Sequence, residues 1–192
     1  MADPQQTRSR LLDAAERLFF QEGIAVTGVD RVASLAGTSV VTLYKHFGSK
    51  ENLLRDVLAR RLTAWTQHWD AALARAASPL ERLLAVFDAV DTFRAEAGET
   101  QWCCFLATAS ERPPAAPGVR DPVADLLYED TRIVTGRLAR LAEDAGCPDP
   151  EAAAAALLLL YNGVLSSLLR GAPSDPARRA RRAALALVPA AG

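Results

Sequence analysis

The stretch AGTSVVTLYKHFGSKENLL, Ala36 to Leu54, decides how the chain folds. Gly37 follows an apolar-periodic segment and suits the left-handed conformation that ends a helix. Thr38 or Ser39 then offers a hydroxyl to cap a new helix. Leu43 and Phe47, one turn apart, anchor that helix to a core. Gly48 ends it, and Ser49 caps a longer one. Upstream, Thr27 is expected to cap a helix that buries Val29, Val32, Ala33 and Ala36, with Asp30 capping back. Small Ala33, four residues before Gly37, lets the two short helices cross closely. This is the spacing of a helix-turn-helix, with an ordinary helical hairpin inside a bundle as the less favoured alternative. Val40 and Val41, about 100° apart around the helix, cannot both sit at the centre of one core stripe. With Leu43 and Phe47 inward, Val41 and Lys45 point nearly opposite, Val40 and Tyr44 lie at one flank, and Thr42 lies at the other.

Working outward, the chain of 192 residues is half hydrophobic and rich in alanine, which favours helix over sheet. No segment shows a convincing period of two. Ser78-Pro79, Asp121-Pro122, Asp149-Pro150 and Asp175-Pro176 each set a capping residue before a proline at a first helical position. Ser78 and Glu81 also form a capping box. These signals predict an all-α chain of about nine helices, near 6–22, 29–36, 40–46, 49–76, 79–97, 100–111, 121–145, 150–170 and 175–189. The first carries Leu11, Ala15, Leu18 and Phe19 on one stripe. Glu111–Val119 reads as irregular.

The net charge of −1 gives the whole chain no footprint of a nucleic-acid binder, but the charge is uneven. Residues 1–78 carry +2 and residues 79–192 carry −3, and Arg31 through Lys50 holds no acidic residue. An acid-free helix pair is compatible with docking on phosphates. Cys103, Cys104 and Cys147 form no C-x-x-C pair, so buried free thiols are expected rather than a disulfide framework or zinc site. The apolar run Ala152–Tyr161 is too short to span a bilayer, and the polar N-terminus has no apolar signal core; both favour the cytoplasm without membrane attachment.

The segments LLDAAERLFFQEG, Thr27, VASLAGTS and TLYKHFGSKENLL, within residues 7–54, resemble the N-terminal DNA-binding region of the TetR/AcrR family of transcriptional regulators. The resemblance implies a helix-turn-helix DNA-binding domain over residues 1–54 and a ligand-binding and dimerisation domain over 55–192. Helix three would then lie in the major groove. The candidate DNA-binding set is Thr27, Thr38, Ser39, Val40, Val41, Thr42, Tyr44, Lys45, His46 and Lys50. Thr42 can bond a base or a phosphate, and Tyr44 offers a ring and a hydroxyl to the backbone. Lys45 and His46 supply a cation and a donor. A lysine in the first turn of a helix opposes the dipole, so a phosphate is the expected partner of Lys50. The amide or hydroxyl of Thr27 is a further phosphate donor. Val41 stands where many family members carry a small residue, and an outward valine can meet a thymine methyl.

In the second domain Trp65, Trp69, Phe87, Trp102, Cys104, Phe105, Tyr128 and Tyr161 are the candidate ligand-binding residues, with core packing as the alternative. Few ionisable groups fall among them, so the expected effector is small and apolar or aromatic. Leu157, Tyr161, Val164 and Leu168 are the candidate dimer contacts, beside small Gly163, Ser166 and Ser167. A two-fold homodimer would set two recognition helices about 34–36 Å apart on a near-palindromic double-stranded DNA operator. An effector would release DNA by preferring another spacing, which makes a repressor the expected regulator. No cofactor or metal is implied. The rival readings are a small all-helical enzyme and a protein-binding helical scaffold. Only His46 and His68 serve the first, with no nucleophile or phosphate-loop signature. The second leaves the Thr27–Lys50 pattern unexplained.

Overall fold

The computed structural model describes residues 3–97, 103–112, 118 and 120–188, and its regular structure is entirely helical among them. The elements are α1 (Pro4–Gln21), α2 (Val29–Leu35), α3 (Val40–Phe47), α4 (Lys50–Arg75), α5 (Pro79–Ala97), α6 (Cys104–Glu111), α7 (Pro122–Asp144), α8 (Pro150–Arg170) and α9 (Pro176–Leu187).

Capping chemistry sets most helix starts. The Asp149 carboxylate accepts from the Ala152 N–H at 3.0 Å, and Asp121 accepts from Val123 and Ala124 at 2.9 and 3.2 Å. Ser78 Oγ accepts from the Glu81 N–H at 3.1 Å; Glu81 reaches back to the Ala77 N–H at 2.7 Å, one residue before the cap. α6 opens at Cys104 rather than near residue 100, and two further starts differ from expectation. α1 opens at Pro4 because Asp3 caps the Gln5 N–H at 3.0 Å, another Asp-Pro step that the sequence displays. Asp175 makes no capping bond: its backbone is left-handed at φ 51° and its carboxylate pairs with Arg178 at 2.5 Å.

The chain divides into two compact units. The first comprises the described residues of Met1–Thr63 and Gly98–Tyr128. Its core joins Leu11, Leu18 and Phe19 of α1, Val32 and Ala33 of α2, Leu43 and Phe47 of α3, and Leu53, Leu54, Val57 and Leu58 of α4. Cys104 and Val123 close it, so α6 and the start of α7 complete the core of the N-terminal helices. Compactness thus departs from a cut at residue 54, because the α6 segment belongs with α1–α3.

The second unit comprises the described residues of Ala64–Ala97 and Glu129–Gly192. Leu83, Leu84, Val86, Phe87 and Val90 of α5 are buried there. So is the small-residue stripe Ala177, Ala180, Ala184 and Val188, along which α9 packs against α8 and α5. α4 is one unbroken helix of 26 residues, about 39 Å long at 1.5 Å per residue, and it contributes to both units.

Candidate nucleic-acid interface

The α2–α3 turn is built by its backbone. Gly37 sits at φ 64°; its N–H donates to the Ser34 carbonyl at 3.0 Å, and the Thr38 N–H donates to Ala33 at 2.9 Å. This pair of bonds is the Schellman ending of a helix, and it turns the chain straight into the Ser39 cap. Ser39 Oγ accepts from the Thr42 N–H at 3.1 Å and lies 2.9 Å from Thr42 Oγ1.

α3 then sorts its side chains by phase. Leu43 and Phe47 are buried. Val41 is 65 % exposed and Tyr44 46 % exposed, with Lys45 exposed beside them. Val40 is half-buried and packs on the core, which separates the two valines as their phase requires. Thr38, Thr42 and His46 are half-buried and Ser39 is exposed; the His46 ring lies 6.1 Å from that of Phe47. Thus α3 shows solvent an apolar methyl surface, a phenol and an ammonium within two turns.

Two candidates have other partners. Thr27 is completely buried; its hydroxyl donates to the Gly23 carbonyl at 2.7 Å, with the Leu18 carbonyl at 3.3 Å. Gly28 takes the capping position of α2 without a side-chain bond. The Thr27 side chain therefore neither caps α2 nor reaches a phosphate; it closes the α1–α2 loop. Lys50 is half-buried, and its ammonium donates to the Ile24 carbonyl at 2.6 Å and lies 5.7 Å from the centre of the Phe19 ring. A lysine in this first turn thus has a protein partner, so its position does not by itself demand a phosphate.

Sequence reasoning missed Arg10. A β-carbon built on Gly37 would lie 3.7 Å from an Arg10 guanidinium nitrogen, which places this cation at the turn. Its signal was the basic TRSR segment that opens α1.

The ligand candidates fall into two groups. Trp65, Trp69, Phe87 and Tyr161 are buried in the second unit. The Trp65 ring meets Trp69 and Tyr161 in tilted contacts at 5.8 and 5.7 Å between centres and Phe93 edge-on at 5.6 Å. The buried indole N–H groups of Trp65 and Trp69 have no hydrogen-bond acceptor among the described residues. Cys104 and Phe105 instead pack in the core of the first unit, through the apolar face of α6, so the structure does not gather them with the tryptophans. Tyr128 is 73 % exposed rather than part of an enclosed cluster. Trp102 lies outside the described residues.

The dimer candidates need a larger correction. Leu157, Tyr161 and Val164 form the buried face of α8, and Leu168 is half-buried. The exposed face carries Ala155, Leu159, Gly163, Ser166 and Leu169, with Leu159 73 % exposed. Both faces are apolar, so periodicity alone could not say which is turned inward. For the same reason α8, at 21 residues, has the length and composition of a membrane span, with mean hydropathy 1.8 over its most apolar window. The apolar run Ala152–Tyr161 is only part of this helix, so its length understates the span.

An all-helical chain with a short, outward-presenting α3 after a glycine turn defines a helix-turn-helix protein. Residues 11–57 match the family model described as bacterial regulatory proteins, tetR family. The HTH-type transcriptional repressor KstR2 of Mycolicibacterium smegmatis is 35 % identical over 86 residues, 45 % of this chain and 42 % of that protein. The transcriptional activator FasR of the same organism is 28 % identical over 144 residues, 71 % and 66 % of the two chains. A solved TetR-family regulator from Streptomyces coelicolor superposes with a TM-score of 0.80 over 96 % of each chain at 25 % identity. The matches span 37 % to 42 % of the length of the first curated relatives. The N-terminal segment 11–57 is thus that of a TetR-family regulator, and α2–turn–α3 is its helix-turn-helix.

Proposed function

We propose that this protein is a ligand-responsive transcriptional regulator, acting in the cytoplasm, that binds a near-palindromic double-stranded operator as a homodimer. The observation that carries the reading is the outer face of α3, where Val41, Tyr44 and Lys45 are exposed within a segment free of acidic residues. Arg10 and Lys50 add cations at the turn and at the start of α4 for phosphate contact, the Lys50 ammonium keeping donors beyond the one given to Ile24.

Dimerisation uses the exposed face of α8. Gly163 and Ser166 permit close helix approach, while Leu159 and Leu169 supply the apolar area. A second copy of the chain fits this face better than lipid, because Asn162 and Ser166 lie on it too. The effector is small and aromatic or apolar and carries a hydrogen-bond acceptor, matched to the unpartnered indole N–H groups of Trp65 and Trp69. α4 begins at Lys50 and carries both tryptophans, so it is the element through which an effector would alter recognition-helix spacing. Release of DNA by the effector makes the protein a repressor, as the related KstR2 is named.

Selection from a pool of random duplex DNA by the wild-type protein tests this reading. Enrichment of an inverted repeat supports it. Failure to enrich any sequence at low salt, by protein shown to be dimeric, contradicts it.

A further inference from the structure

The α1–α2 loop is held from three directions. Inside it, the Thr27 hydroxyl bonds the Gly23 carbonyl at 2.7 Å, and Gly23 itself sits at φ 112°. From α4, the Lys50 ammonium donates to the Ile24 carbonyl at 2.6 Å. From α6, the Glu111 carboxylate accepts the Ile24 N–H at 2.8 Å, with the Ala25 N–H at 3.4 Å from the same oxygen. Ile24 is buried, so its peptide groups have little freedom to find other partners. An anion on its N–H side and a cation on its C=O side polarise the same residue, and each bond is charge-assisted.

Of these ties, only the Glu111 contact comes from outside the first four helices, 87 residues along the chain. Its neighbour Arg112 pairs with Asp121 at 2.9 Å, and Asp121 caps α7. The end of α6 therefore fastens the α1–α2 loop with one residue and the start of α7 with the next. α6 is fixed at its other end by buried Cys104, and inside by buried Thr108, whose hydroxyl returns to the Cys104 carbonyl at 2.7 Å.

We infer that Glu111 is a positioning residue for DNA binding: it fixes Ile24, and Ile24 in turn holds the Lys50 ammonium at the start of α4. Loss of the Glu111 tie would loosen Lys50 without touching α3. The inference rests on the regulator reading above.

The test uses the full-length protein and the duplex that the wild type selects from random DNA. Glu111→Ala is expected to weaken binding about threefold to tenfold, as loss of a charge-assisted hydrogen bond would. The slope of affinity against salt should fall by no more than the one ion that Lys50 contributes, because Glu111 itself neutralises no phosphate. Glu111→Gln keeps an acceptor and should restore most of the affinity. In hydrogen exchange, the Ile24 and Ala25 amides should lose protection in Glu111→Ala while α1 and α3 keep theirs. With Lys50→Ala, the losses should be less than additive, since both act through Ile24. Wild-type affinity in Glu111→Ala, unchanged exchange at Ile24, or additive losses would each overturn the assignment of Glu111 alone. A wild-type protein that selects no duplex overturns the regulator reading as well, whereas the exchange result reads the clamp without DNA.

Discussion

Val41 and Lys50 show what a single side chain settles at this surface. Val41 has no protein role to explain its exposure, so its methyl groups are free for a thymine methyl. Val41→Gly should change base preference at one or two symmetric operator positions while leaving overall affinity near wild type. Parallel selections with the two proteins check this, and identical sequence profiles would remove the contact. Lys50 is proposed to contact a phosphate besides holding the Ile24 carbonyl. Lys50→Ala should reduce the salt slope of DNA binding by about one ion and also lower stability by about 1–2 kcal/mol, through the lost bond to the Ile24 carbonyl. Titration across a salt series and denaturant melts separate the two effects. The split between Val40 and Val41 was legible because helical phase is local. The partner of Lys50 was not, because Ile24 lies 26 residues away in a loop that no periodicity describes. Thr27 misled for a similar reason: Gly23 lets the loop fold back so that the hydroxyl meets it instead of α2.

Among the elements, α3 and α8 contrast in what their sequences reveal. The helix-turn-helix follows from glycine, cap and anchor spacing, and the structure supplies each bond. Gly37→Ala has room for its new methyl, 3.7 Å from Arg10, but must hold φ at 64°. Its cost is therefore conformational, about 1–2 kcal/mol, and thermal melts should show it. Leu43→Ala, in the core contact of α3, should cost about 2–5 kcal/mol. α8 was legible as a helix and illegible as an interface, because leucines cover both of its faces and only packing distinguishes them. Leu159→Glu should yield a monomer by sedimentation velocity with its helical content intact. A dimer of unchanged affinity would place the interface elsewhere.

For the whole molecule, the division expected at residue 54 differs from the packing, which joins α6 to α1–α4. That contact was hidden because Cys104 and Phe105, in an apolar run, look alike as pocket or as core. One half-buried carboxyl offers a check on the second unit. Burial pushes the Asp130 carboxyl up to about 6, above the value it has in an unfolded chain. The folded state then binds more protons than the unfolded state between about pH 4 and 6, so this group's contribution to stability is present at low pH and lost as pH rises through that window. Asp130→Asn should flatten the decline and leave the protein more stable at pH 7, on the order of 1 kcal/mol. Melting curves at several pH values measure it.

The account stands on α3 lying against DNA. Tyr44 replaced by photoreactive benzoylphenylalanine, with the same replacement at exposed Leu159 as control, tests that placement on the duplex the wild type selects. Crosslinking to DNA from position 44 and none from position 159 is the predicted result. No crosslink from position 44, or equal crosslinking from both, would contradict it.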